Sequence, residues 1–106
     1  MKIIYLKRGD TARKITDTLS LDGQPIDLTG ATVVLVWAPA RLATQRKAAT
    51  IVSDPTTGIV SYVPSADDVA TAGVVRIEWE ITFADQSVLT VPTLDEIILR
   101  ILPDLG

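Results

Sequence analysis

The sequence predicts an all-β fold, an antiparallel sandwich of about seven to nine strands with one short helical turn. Three observations point there. Short runs rich in Val, Ile, Thr and aromatic residues recur along the chain. Gly, Pro and Asp punctuate them at nearly every junction. One long run alternates apolar and polar residues with a period of two. At 106 residues the chain has the commonest size of a single domain, and residues 1–106 are read as one such unit. A chain this long buries roughly two thirds of its unfolded surface. It needs no covalent staple, and it has no cysteine to make one.

The elements follow in order. Lys2 to Lys7 forms a first strand, broken by Gly9-Asp10. From Ala12 to Leu21, Arg13, Ile15, Asp17, Leu19 and Leu21 share one face of a strand, with Ala12, Lys14, Thr16 and Thr18 on the other. Asp22-Gly23-Gln24-Pro25 is a turn, because Pro cannot donate to a ladder. Ala31 to Trp37 is apolar on both faces and reads as a central strand. Ala40 to Ala49 contains good helix formers but is short. It reads as a loop with room for one helical turn, entering a strand at about Ala48 to Ser53.

Asp54-Pro55-Thr56-Thr57-Gly58 is a turn before the strand Ile59 to Val63. Ser65 is positioned as an N-cap, with Asp67 and Asp68 in the first turn of a short helix ended by Gly73. The alternating run comes next. Val75, Ile77, Trp79, Ile81 and Phe83 line one face, and Arg76, Glu78, Glu80 and Thr82 the other. With Val33, Leu35 and Trp37, the first set forms the candidate core. Ala84-Asp85-Gln86-Ser87 makes a hairpin loop to Val88–Val91 despite lacking the usual glycine. Pro92 interrupts, and Glu96 to Leu102 is the last strand.

Composition removes most catalytic chemistry. There is no histidine, the commonest general base and transition-metal ligand, and no cysteine nucleophile. No motif places an activated Ser beside Lys, and the glycines are scattered singly rather than gathered in a phosphate-cradling loop. An enzyme and a bound cofactor are therefore not expected. Asp54, Asp67, Asp68, Glu78 and Glu80 could supply oxygen ligands to a cation, but no spacing resembles a calcium loop. Turns, helix starts and a solvated strand face account for them.

A net charge of −3 argues against nucleic-acid binding. The apolar run Ile3 to Leu6 is too short for a signal or a membrane span. Charge is divided along the chain, with eight Lys/Arg against four Asp in residues 1–53 and two Arg against nine Asp/Glu in residues 54–106. That division could give complementary surfaces for head-to-tail assembly of copies. Lys7, Arg8, Arg13, Lys14, Arg41, Arg46 and Lys47 could form a basic patch, though only Tyr5 lies near enough to stack on a base. Trp37 and Trp79 could form a carbohydrate platform, but both lie in strongly apolar strands, where a core role is expected.

With 47% hydrophobic residues, some apolar area is expected against a partner. The candidate interface is the last strand, through Ile97, Leu99 and Ile101 or through Ile98 and Leu102, together with Arg41, Arg46 and Lys47.

Several segments in order resemble a known family. They are Gly9-Asp10-Thr11, Leu21-Asp22-Gly23-Gln24-Pro25-Ile26-Asp27-Leu28-Thr29-Gly30-Ala31-Thr32-Val33, Thr57-Gly58-Ile59-Val60, Asp67 to Gly73, and Glu78-Trp79-Glu80-Ile81-Thr82-Phe83-Ala84-Asp85. Together, over about residues 9–92, they resemble the immunoglobulin-like N-terminal domain of phage baseplate upper proteins and its single-domain relatives. The Asp-Leu-Thr-Gly-Ala-Thr-Val segment is the most specific. The chain departs from the pattern at Val75, where the family often has Tyr, and at Gln86, where the hairpin has Gly.

The resemblance implies an immunoglobulin-like sandwich and a non-enzymatic structural role in the virion, assembled in the bacterial host cytoplasm. It implies a tail, baseplate or neck adaptor that contacts other virion proteins and forms a homo-oligomer in the particle. A capsid decoration protein and a host-surface glycan- or receptor-binding module are the alternatives. The family offers no catalytic residues to carry over.

Overall fold

The computed structural model of the chain describes residues 1–93 and 95–105. Eleven extended stretches run in order: β1 (Lys2–Lys7), β2 (Ile15–Thr18), β3 (Ser20–Leu21), β4 (Gln24–Pro25), β5 (Thr32–Pro39), β6 (Gln45–Ala48), β7 (Thr50–Ile51), β8 (Ile59–Tyr62), β9 (Gly73–Thr82), β10 (Val88–Val91) and β11 (Ile97–Leu102). They build a six-stranded sheet ordered β1-β11-β9-β5-β6, with β10 also on β9, and a three-stranded sheet ordered β2-β8-β7. β3 and β4 form a separate hairpin. The result is the expected β-sandwich.

β9 is the spine of the large sheet. One edge pairs with β5 along its length, and the other is shared by β11 at its start and β10 at its end. Its alternation divides the environments. Val75, Ile77, Trp79 and Ile81 are buried, and so are Val33, Leu35 and Trp37 of β5. Phe83 is half-buried and packs against that cluster. From the small sheet, Ile15 and Val60 complete the core, and Trp37 meets Tyr62 at a ring-centroid distance of 6.2 Å.

Four details depart from the sequence reading. The short helical turn lies at Pro55–Thr57, where Asp54 caps it and a proline suits its first position. Ser65 to Gly73 instead carries isolated turns, with the Asp68 N–H donating to the Ser65 carbonyl at 3.1 Å. Ala40 to Ala49 contains no helix, and β6 begins at Gln45 because its edge on β5 is free to pair there. The long strand expected from Ala12 to Leu21 is split, leaving Leu21 exposed at the β3–β4 hairpin.

The fourth departure is that one pairing is parallel. β1 runs beside β11 in the register Lys2↔Ile97 to Lys7↔Leu102. A parallel pair needs a long crossover, and nearly the whole chain lies between these two strands.

The resemblance's most specific segment has a structural role. Asp27 Oδ1 accepts from both the N–H (3.0 Å) and the hydroxyl (2.6 Å) of Thr29. Leu28 is buried in the core, and its N–H donates to the Pro55 carbonyl. Gly30 then turns the chain at φ +74°, where a Cβ would sit 3.3 Å from the Ala84 methyl. At Gly58, φ +70°, a Cβ would lie 2.6 Å from the Leu19 carbonyl oxygen, so only glycine fits.

Candidate protein–protein interface

The last strand places its two faces in different surroundings. Ile97, Leu99 and Ile101 are buried in the core and leave the candidate surface. The reason is position: β11 lies between β1 and β9, so its inward face must meet the second sheet. Ile98 and Leu102 point the other way and are half-exposed. The registers line them up with their neighbours. Ile3, Ile98 and Arg76 form one row across the outer face, and Tyr5, Arg100 and Val74 form the next. Ile3, Tyr5 and Val74 are 39%, 48% and 40% exposed.

The basic candidates separate. Arg41 is exposed in a turn at φ +66°, beside Ala40, whose N–H donates to the carbonyl of Val74. Arg46 lies on β6 and pairs with Glu80 of β9. Lys47 turns inward, and its Nζ lies 2.8 Å from Asp68 Oδ1. Asp68 is almost fully buried and also accepts from the Tyr62 hydroxyl at 2.5 Å and the Ser65 N–H at 2.9 Å. Burial works to raise the Asp68 carboxyl. The hydrogen bonds from Lys47, Tyr62 and Ser65, with the Lys47 charge, outweigh it and hold the carboxyl below its ordinary value. Burial, the hydrogen bond to Asp68 and the Asp68 charge push the Tyr62 hydroxyl up.

On the opposite side of the sandwich, Asp17 of β2 accepts from Trp79 Nε1 at 3.1 Å and from Lys2 Nζ at 3.3 Å. Each open side is therefore bridged by one aspartate that joins the two sheets. Composition did not reveal either bridge. Asp17 alternating with Ile15 and Leu19 on a core-facing side was the one available signal.

The divided charge of the sequence is paired in part within the chain. The N-terminal amine meets Asp95 and Arg8 meets Asp104, each at 2.7 Å, while Arg46 meets Glu80 and Lys47 meets Asp68. All four join a cation of residues 1–53 to an acid of residues 54–106. Strand pairing, as between β1 and β11, brings the halves together.

Two further aspartates are occupied in turns. Asp54 and Asp85 repeat the Asp27 arrangement, each accepting from the N–H and hydroxyl of the residue two positions on. Hydrogen bonds from the side chain and then the backbone of Thr29 hold the Asp27 carboxyl low, and those of Ser87 do the same for Asp85. Gln86 takes the left-handed conformation, φ +73°, that glycine supplies in the family pattern. Among the described residues, no group of three or more acidic side chains is placed to hold a metal ion. Trp37 and Trp79 are buried, so neither offers a platform to a sugar.

These features define a β-sandwich whose acidic side chains shape turns and tie sheets, and whose large sheet has an uncovered outer face. The family model of the BppU N-terminal domain matches residues 1–98. The chain belongs to that family, the N-terminal domain of phage baseplate upper proteins, and is a phage baseplate-related structural protein. No curated protein matches it. Among solved structures it is similar to CopC from Methylosinus trichosporium OB3b, with a TM-score of 0.61 at 6% identity, over 100% of this chain and 89% of that one. At that identity the likeness concerns the fold alone.

Proposed function

We propose that the chain, as one domain over residues 1–106, is a non-enzymatic adaptor of the phage tail or baseplate that joins other virion proteins. The observation that carries this reading is the family match over residues 1–98. The structure supports it in a second way. The segments that identify the family serve turns and core, which leaves contact-making to the outer sheet face and its edges. Half-exposed Ile98 and Leu102, with Arg41 and Arg46, remain the interface candidates, and copies of the chain assemble within the particle. Neither nucleic acid nor membrane is a partner in this reading. A glycan-binding role has weaker support, because Tyr5 is the one strongly exposed aromatic among the described residues.

The test is the copy number of the chain in purified virions, by quantitative mass spectrometry against the major capsid protein. A low number in multiples of three or six supports a tail, baseplate or neck position. A number comparable with the capsid protein supports decoration instead. Absence from particles overturns the virion reading.

A further inference from the structure

We infer that the free edge of β1 is a docking site for an extended segment of a partner protein, one whose side chains include both aliphatic and acidic residues. The segment adds to the large sheet as a further strand. This rests on the adaptor reading for the partner's origin only; the competence of the edge is a property of the chain itself.

Four observations carry it. First, the edge is open. In a parallel pair, alternate residues bond to the neighbour. The N–H groups of Lys2 and Arg8 donate to Glu96 and Leu102, so the even-numbered residues face β11. The backbone groups of Ile3 and Tyr5 therefore point outward, and among the described residues they have no hydrogen-bond partner. At about 3.3 Å per residue, their spacing repeats that of any extended strand.

Second, the middle of the edge lacks the usual protection. Edge strands are blunted by proline, bulges, short length, lysines or inward charges. β1 has six residues, Lys-Ile-Ile-Tyr-Leu-Lys, with its lysines only at the ends.

Third, an apolar shelf lies beside it. Ile3, Tyr5, Ile98 and Val74 are neighbours on the outer face and give alternate side chains of an added strand a surface to cover.

Fourth, cations outnumber acids around the shelf, where Glu78 and Glu96 lie at the end away from Tyr5. Lys7, Arg76 and Arg100 are exposed there, and no ion pair engages them among the described residues. Acids on the occupant complement these cations. A second copy of β1 would bring the same lysines and arginines to the same sheet, which disfavours self-pairing.

The experiment uses amide hydrogen exchange of the full chain, read residue by residue by NMR. The probe is a synthetic peptide of alternating Val and Glu, about six residues long to match a typical strand. Saturating peptide is expected to slow exchange at Ile3 and Tyr5 by about tenfold or more, with no change at Arg46. The same peptide with Lys in place of Glu gives no protection, and added salt weakens the effect. Tyr5→Pro removes an outward N–H that the fold does not use and abolishes protection. Should that variant fail to fold, Tyr5→Glu supplies a charge that repels the acidic peptide on an intact backbone, with slow exchange across β9 as the check of folding.

Equal protection by both peptides, or none at saturation by the acidic one, overturns the inference. So does protection of Ile3 and Tyr5 in the free protein that grows with its concentration, which would mean that copies pair. The virion copy number is independent of all these outcomes, so failure of the edge and failure of the adaptor reading are distinguishable.

Discussion

β1 and β6 lie at opposite ends of the same sheet and are finished differently. β6 is four residues long, Gln-Arg-Lys-Ala, and the chain leaves it directly for β7 in the other sheet. It is held in place by its side chains, with Arg46 on Glu80 and Lys47 on Asp68. β1 is longer and apolar, and it is anchored from its inner side only. Leu6 is buried there, and Lys2 reaches Asp17. The β6 edge is thus held by a polar network and the β1 edge by apolar burial. That burial leaves the outward backbone of β1 uninvolved at Ile3 and Tyr5, while at Lys7 it is engaged by Asp10.

Four changes test this contrast. Leu6→Ala removes the buried anchor of β1 and should lower stability by about 3 kcal/mol in denaturant unfolding. A loss below about 1 kcal/mol would mean that β1 is held by something other than its inner face. Asp68→Asn keeps the shape of the β6 network but removes its charge and should cost about 2 kcal/mol.

The same variant has a pH signature. The Asp68 carboxyl sits below its ordinary value of 3.8 in the fold, so the unfolded chain binds the proton more readily. Its stabilisation is full above that ordinary value and is lost as pH falls through the folded one. Asp68→Asn should therefore flatten the acid limb of the stability curve, measured by urea midpoints below about pH 5. An unchanged slope would remove Asp68 as the source.

Arg46→Ala breaks an exposed pair and should cost less than about 1 kcal/mol. Tyr5→Glu should change stability by no more than about 0.5 kcal/mol while altering the β1 edge. A large loss there would show that the outer face of β1 contributes to folding.

The candidate site was only partly legible. The alternation in Val75 to Ile81 identified the buried face of β9, because period-two spacing is a local property of a strand. The last strand is apolar on both faces, so its sequence could not say which side is covered. Position between β1 and β9 decides that Ile97, Leu99 and Ile101 are core and that Ile98 and Leu102 are not. Lys47 resembled its neighbour Arg46 as a surface cation, yet one is drawn inward by a carboxylate 21 positions away and the other is not.

What sequence alone determined about this protein is therefore its local chemistry: strand alternation, the turns at Gly30 and Gly58, the family segments and the lack of His and Cys. Each depends on residues a few positions apart, whose interactions survive in any arrangement of the rest. Tertiary structure decided the parallel pairing of β1 with β11, the aspartate bridge from Asp17 to Trp79, the ion pairs between the two charged halves and the open edge. Those depend on contacts such as Arg8 with Asp104, nearly the full chain apart, and no local rule selects among the partners that a closing chain brings together.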